Sequence, residues 1–535
     1  MRLAFLGHAG FLLETARAIV VLDPWLSPHG AFDSSWFQLP QNHHLAAWVR
    51  EKLSDPSKER YIYVSHEHRD HFDPVFLASL PTDQITAIVP FFKRSAFRTE
   101  MSDLEWRRLV LCKDEVEIPF ADGAIRIYVS DSTLNRDSAL LVRSTTGSFL
   151  DLNDCKIHDR LEAIAKAEGP ITAFSAQFSG AIWHPVRYDY DERNYNLISK
   201  KKMFSKFEAV ARAIKTLSPR FFFAAAGPSC FLDPELIHEN FKKVSIFPRA
   251  PAFFRFLEKR LGNIATRFVE PMPGDTLDLQ SGEWIQQAEG RLTDENFEEY
   301  VRAYAERMAE PLAARRRNIS QAECREIVHR LETVLQEKLD RLKLRDRIHM
   351  PLFVKVEEIP DEILRVNFVE SRIDRVDSIP EEGRHSLTAK AIDLLPLLDR
   401  KLTWDEFLLS LRFTMSRKPD VYDAVLHGFL AIEAEDLPAF CEHILAAESR
   451  QERMLVQIGD RRFSVHRYCP HQGADLSAAW IEKGRYLVCP RHRWQFDLEN
   501  EGKCTFNDCS IRAIEEPREV ELDAAAPEVQ LRADA

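Results

Sequence analysis

The chain lacks any uninterrupted apolar run of the roughly 20 residues needed to cross a bilayer, so a membrane-spanning role is not expected. Its start, MRLAFLGHAGFLLET, is apolar but short and runs into a glutamate. It reads as a pair of strands, and no secretory signal is expected. Positive charge is not in excess: the net charge of −12 argues against broad nucleic-acid binding. Cys112, Cys155, Cys230, Cys324 and Cys441 are scattered without pattern, which fits reduced thiols in a cytoplasmic setting. What is present is ordinary for a soluble globular protein, with 45% hydrophobic and 29% charged residues. A length of 535 residues points to several domains.

The densest chemistry lies in YIYVSHEHRDH, Tyr61–His71. A β-rich run delivers His66, His68, Asp70 and His71 onto a loop just past a strand end. Imidazole nitrogens and carboxylate oxygens together suit zinc, iron or manganese. The H-x-H-x-D-H pattern resembles the metal signature of the metallo-β-lactamase fold. The segment GHAGFLLETARAIVVLDPWLSP is similar to the opening of that fold, in its ascorbate-phosphate-lactonase-like branch. The resemblance implies that Asp23 braces the metal loop. It also implies that Asp154, in GSFLDLNDCKI, bridges two metals, with Asp151 a polar residue on the solvent side of its strand. His8, at the end of the first strand, either supports the metal ligands from behind or is structural, with structural the favoured reading, and His29, His43 and His44 read as solvated loop residues.

Two histidines of the family pattern are missing. VSDSTLNRDSALLV contains none, and there Asp131 or Asp137 is either a substitute carboxylate ligand or a turn residue. RFFFAAAGPSCF also lacks one, which leaves His184 in QFSGAIWHP as a candidate. One tightly held metal is therefore expected rather than two.

The expected architecture is α/β. An αββα metallo-β-lactamase-like sandwich spans residues 1–275, and a charged helical segment spans 276–350. An α+β accessory domain spans 351–448, with LTWDEFLLSLRFTMSRKPDVYDAVLHGFL read as helical. It resembles sterol-carrier-like domains, which implies an apolar cavity or an accessory wall. Arg412, Arg417, Asp420 and Tyr422 form either an anion site or a buried ion-pair network.

An all-β domain spans 449–535. It holds C-x-H at Cys469 and His471 and C-x-x-H at Cys489 and His492. With the flanks CPHQG and CPRHRWQFD, this resembles a Rieske domain. In such a domain two thiolates hold one iron of a [2Fe–2S] cluster and two neutral imidazoles hold the other. Zinc is the alternative for two Cys and two His. Cys504 and Cys509 follow the motif and are not expected as ligands.

A Rieske cluster moves electrons, and zinc cannot use them. Cooperation between the two ends of the chain therefore calls for non-haem iron, one or two ions, at His66–His71, with zinc the alternative. The pairing of modules resembles the CMP-N-acetylneuraminate hydroxylase family, although there the Rieske domain comes first. That resemblance implies a monooxygenase using dioxygen and a small polar or nucleotide-sugar-like substrate. It implies an electron donor such as a ferredoxin, a cytochrome b5-like protein or a flavin reductase. The helical segment allows a homo-oligomer. The competing reading is a zinc metallohydrolase of phosphodiesters or lactones, with Asp70 as the catalytic base and the cluster as redox sensor. A non-catalytic electron carrier is the third.

Overall fold

The computed structural model describes residues 1–93, 96–132, 135–470, 473–491, 493–505, 509–516 and 528–529. His471 and His492 lie outside the described residues.

The first unit is built from β1 (Arg2–Gly7), β2 (Gly10–Glu14), β3 (Ala18–Leu22), β4 (Glu59–Tyr63), β5 (Thr86–Pro90), β6 (Arg108–Cys112), β7 (Glu117–Phe120), β8 (Gly123–Ser132), β9 (Asn135–Ser144), β10 (Gly147–Asp151), β11 (Ala173–Gln177), β12 (Phe221–Ala225), β13 (Arg267–Val269), β14 (Thr276–Asp278) and β15 (Trp284–Gln286). They form two sheets, ordered β15-β14-β1-β2-β3-β4-β5-β6 and β13-β12-β11-β10-β9-β8-β7.

Strand alternation explains why the sheets stack. Leu3, Phe5, Phe11, Leu13, Val20 and Tyr63 point from the first sheet into a core shared with Ile125, Leu140, Phe149, Phe221 and Phe223 of the second. Their neighbours Ala4, Leu6, Leu12, Ile19 and Val21 face the other way, onto Val49, Phe72, Phe76 and Met101. Leu150, Phe174 and Phe222 likewise face Phe207, Ile214 and Phe253 on the outer helices. Both faces of each sheet are covered, which gives an αββα sandwich.

The inner strands run parallel, with Val21 opposite Ile62 and Ala173 opposite Phe221. Loops leaving β1, β3, β4 and β10 therefore gather at one edge, where open α/β sheets place their chemistry. The sandwich does not stop at residue 275. β14 pairs with β1, and β15 pairs with β14, so the run at 276–286 adds two more strands on that side of the sheet, with β15 at its edge.

The middle of the chain carries β16 (Leu352–Val356), β17 (Ile363–Asn367), β18 (Arg372–Val376), β19 (Arg384–Ala389) and β20 (Phe413–Lys418) in the order β18-β17-β16-β19-β20. β20 corrects the helical reading of this stretch. The helix Trp404–Leu409 ends early, and Phe413–Lys418 pairs antiparallel with β19 along its whole length. The helix Gln321–Arg341 starts at a capping box between Ser320 and Glu323. It shares one core with this sheet and with Trp25, Phe32, Trp36 and Phe231 of the sandwich loops. A division at residue 350 therefore cuts through a continuous core.

The last unit is all β. β21 (Arg453–Ile458) and β22 (Arg461–His466) pair with each other, and β23 (Trp480–Glu482), β24 (Tyr486–Val488), β25 (Gln495–Asp497) and β26 (Lys503–Cys504) form a second sheet. Among the described residues no helix is long and apolar enough to cross a membrane.

Candidate metal centres

Four loops at the open edge of the sandwich converge. Several of their residues have left-handed backbone that side chains rarely adopt: His8 at φ 52°, Asp23 at φ 38° and Asn153 at φ 43°. Such strain persists only where surrounding bonds hold it. The His8 carbonyl accepts from Ala226 N at 2.8 Å, and Asn153 Nδ2 donates to the Ser138 carbonyl at 2.8 Å. Asn153 Oδ1 in turn accepts from the backbone of Asp154 at 2.6 Å and of Cys155 at 3.2 Å, which fixes Asp154.

Two groups of donors result, His8 with Asp70 and His71, and His66 with His68 and Asp154. Asp154 Oδ1 lies between them, 3.6 Å from His71 Nε2 and 3.9 Å from His66 Nε2. The hydrogen bonds around the imidazoles decide which nitrogens face inward. His71 Nδ1 donates to Asp23 Oδ2 at 2.7 Å, so its Nε2 is the bare nitrogen. His68 Nε2 donates to Asp405 Oδ2 at 2.8 Å, which leaves Nδ1 bare. His66 Nδ1 sits 3.0 Å from Ser65 Oγ and 3.3 Å from Asp137 Oδ1, which leaves Nε2. His66 Nε2 and His68 Nδ1 then face each other at 2.9 Å with two lone pairs. His71 Nε2, Asp70 Oδ1 and Asp154 Oδ1 are buried without a hydrogen-bond partner. Buried polar atoms are rarely left so. Converging lone pairs and orphaned carboxylate oxygens fit a bound cation.

The electrostatics agree. Burial opposes charge on His71, but Asp154, Asp70 and the bond to Asp23 together outweigh it and raise the group to about 9. Burial likewise opposes charge on His66, yet Asp137 and Asp154 raise it well above the ordinary histidine value. Burial would raise Asp70, but His71 and the bond from His8 bring it down to about 2. Asp154 is also pulled down against its burial, by His71 and His66, to well below the carboxylate range. Burial drives Asp137 up to about 7, with Asp154 beside it and His66 opposing. The cage as a whole favours positive charge at its centre.

The sequence candidates divide accordingly. His66, His68, Asp70, His71 and Asp154 come together, and Asp137 joins them beside His66. Asp23 braces His71 and Ser65. Asp131 does not join: it is exposed and accepts from Lys93 N. Nor does His184, which pairs with Tyr190 and Arg417 instead. Asp151 corrects its solvent-side reading. It is fully buried and accepts from Ser175 Oγ and from Asn153 N, so it braces the loop from inside.

Two participants were missed. His8 reaches Asp70 at 3.0 Å, but a lone histidine at a strand end gives no spacing signal. Asp405 comes from 337 residues away, on the first turn of Trp404–Leu409, and only the Thr403/Glu406 capping box marked a helix start there. Arg412 belongs to an ion-pair network with Asp33 and Asp233 rather than an anion site.

In the last unit, two loops have the same construction. Cys469 N donates to Ala474 O and Gly473 N to Cys469 O, both at 2.9 Å. Cys489 N donates to Trp494 O and Arg493 N to Cys489 O, again at 2.9 Å. The fourth residue after each cysteine is left-handed, Gly473 at φ 68° and Arg493 at φ 58°. Both cysteines are fully buried in one core. Two matching loops presenting two thiols fit one iron of a [2Fe–2S] cluster.

Comparison with known proteins agrees for this unit. Residues 434–514 match the family described as Rieske [2Fe-2S] domain. The chain is 28% identical over 527 residues to a protein of Mycobacterium tuberculosis (strain ATCC 25618 / H37Rv) described as a Rieske 2Fe-2S iron-sulfur protein, covering 94% of this chain and 98% of the relative. A counterpart from Mycolicibacterium smegmatis is 27% identical over 524 residues, with the same coverage of each chain. Among solved structures, CmlA, a diiron β-hydroxylase from Streptomyces venezuelae, is 15% identical with a TM-score of 0.34, over 52% of this chain and 54% of that one. Igni18, a metallo hydrolase from Ignicoccus hospitalis, is 13% identical with a TM-score of 0.32, over 52% and 97%. The chain thus carries, at residues 434–514, a match to the Rieske [2Fe–2S] domain family, beside an αββα sandwich with the H-x-H-x-D-H loop at its open edge.

Proposed function

We propose that the protein is an oxygenase in which the Rieske domain supplies electrons to non-haem iron held at the sandwich edge. The observation that carries this reading is the donor set. Four histidines, His8, His66, His68 and His71, gather with Asp70, Asp137 and Asp154 in a chain whose other end is a Rieske domain. Imidazole and carboxylate together suit iron. His8 and Asp137 offer replacements for the two histidines absent from the sequence pattern, so the set has room for two ions. Iron with open positions there would bind and activate dioxygen for insertion into a C–H or N–H bond.

The surrounding residues have definable tasks. Asp23 keeps the His71 proton at Nδ1, and Asp405 keeps that of His68 at Nε2, which turns the other nitrogens inward. Lys206 donates to the Ser179 carbonyl at 2.9 Å, and burial, together with nearby Lys156, lowers it to about 7. Burial and Arg417 also lower Lys202, to about 8. Lys206 feels the Asp154 carboxylate, and in its protonated form it would favour a small polar substrate with negative charge, consistent with the nucleotide-sugar-like class. An electron donor and dioxygen are the required partners.

The test is metal content with electron-dependent oxygen uptake. Iron beyond that of the cluster, with uptake lost in Cys489→Ser, supports the oxygenase. Zinc alone in the sandwich, with hydrolysis that survives Cys489→Ser, identifies the metallohydrolase instead.

A further inference from the structure

The loop that follows β10 carries Asp154 and, five residues later, Asp159. An extended chain spans at most about 3.6 Å per residue, so the two Cα atoms are no more than about 18 Å apart. The Asp159 side chain is only 4% exposed, and Arg491 Nε donates to its Oδ1 at 2.8 Å. Arg491 belongs to the Cys489–Trp494 loop, which its two backbone bonds close. Arg493, in the same loop, donates to the Ser205 carbonyl on the helix Glu192–Leu217. Arg212 of that helix lies 4.3 Å from the ring centre of Trp480, and Trp494 meets Tyr422 at 5.9 Å. The Rieske unit is therefore anchored to the sandwich through Arg491 and Arg493. At the same contact, both ring nitrogens of His158 are buried without a hydrogen-bond partner. Burial, with Arg493 and Lys206 nearby, lowers that imidazole to about 3, so it is neutral.

We propose that electrons cross from cluster to metal centre within one chain, over the segment Asp154–Asp159, and that the Arg491–Asp159 ion pair is the latch that holds the cluster loop against it. This rests on the oxygenase reading. Each crossing oxidises the mixed-valence cluster to its diferric form and reduces one ferric ion at the histidine–carboxylate centre to ferrous. Asp159 and Arg491 are positioning residues. They touch neither substrate nor reacting atoms, and their effect is on the geometry of transfer.

The experiment follows re-oxidation of the dithionite-reduced cluster in the full-length, iron-loaded protein by visible absorbance and electron paramagnetic resonance. Asp159→Asn should slow transfer to the centre by roughly tenfold to a hundredfold, as small misplacements do. Its cluster spectrum, its potential and its re-oxidation by ferricyanide should match the wild type. The double variant Asp159→Arg with Arg491→Asp should restore the rate. Co-expressed His66→Ala and Cys489→Ser chains, one lacking the acceptor and the other the donor, should show no transfer between them. An unchanged rate in Asp159→Asn, or transfer in the co-expressed pair, overturns the proposal while the oxygenase reading stands. A wild-type cluster that gives no electron to bound iron overturns both.

Discussion

At His71 the two ring nitrogens have different work. Nδ1 is committed to Asp23, and Nε2 is buried and bare. Asp23→Ala removes the acceptor that fixes the tautomer, and loss of such a partner lowers metal affinity about 10–100-fold. Competition against a chelator measures it, and unchanged affinity would show that Asp23 serves only the turn. His8 makes a separate prediction. If its imidazole completes the second group of donors, His8→Ala lowers the metal bound per chain while the cluster spectrum is retained. The first of these roles was legible, because Asp23 sits in a D-P-W stretch that resembles a known opening. His8 was not, since its approach to Asp70 depends on the left-handed backbone after β1, which turns the ring toward that carboxylate.

Elements hold the loops that cover the centre. Phe32, Asp33 and Ser34 are consecutively left-handed, at φ 51°, 57° and 58°. This conformation costs about 1–2 kcal/mol per residue. Arg412, just before β20, donates to the carbonyls of Asp33 at 2.6 Å and Ser34 at 3.2 Å and pairs with Asp233. Arg412→Ala leaves Asp233 short of a buried partner and should destabilise the protein by about 3–5 kcal/mol in denaturant unfolding. A loss below about 1 kcal/mol would mean that Arg315, which also pairs with Asp33, and Arg316, which also pairs with Asp233, suffice.

The opening strand pair in MRLAFLGHAGFLLET and the β-rich run YIYV were readable in the sequence. β20 was not. Its run RFTMSRK follows a helix directly, and what makes it a strand is pairing with β19, a contact no local pattern displays. The same applies to Asp405, whose partner His68 lies in another unit.

At the scale of the whole molecule, the middle unit is part of the site. It shares a core with the sandwich loops, sends Asp405 to His68, and joins Arg69 to Glu406 at 3.1 Å. Composition placed the pieces in order along the chain, but the side on which they meet depends on packing between units. Acid should loosen this assembly. Burial, with Arg417 nearby, lowers His385 to about 4, against 6.5 in the unfolded chain. Between those values the unfolded chain binds more protons, so stability rises with pH across the window. The contribution is complete above pH 6.5 and is lost as pH falls through 4. His385→Phe should flatten the melting temperature between pH 6.5 and 4, and an unchanged slope would assign the acid sensitivity to other groups.

The central claim is that the far end of the chain feeds electrons to iron at His66–His71. Electron paramagnetic resonance of the reduced protein, with metal analysis of the same sample, tests it most directly. The account predicts the signal of a reduced Rieske cluster, iron in excess of the cluster's two ions, and loss of the signal on admitting dioxygen. A Rieske signal with zinc as the only other metal, unchanged by dioxygen, would contradict it.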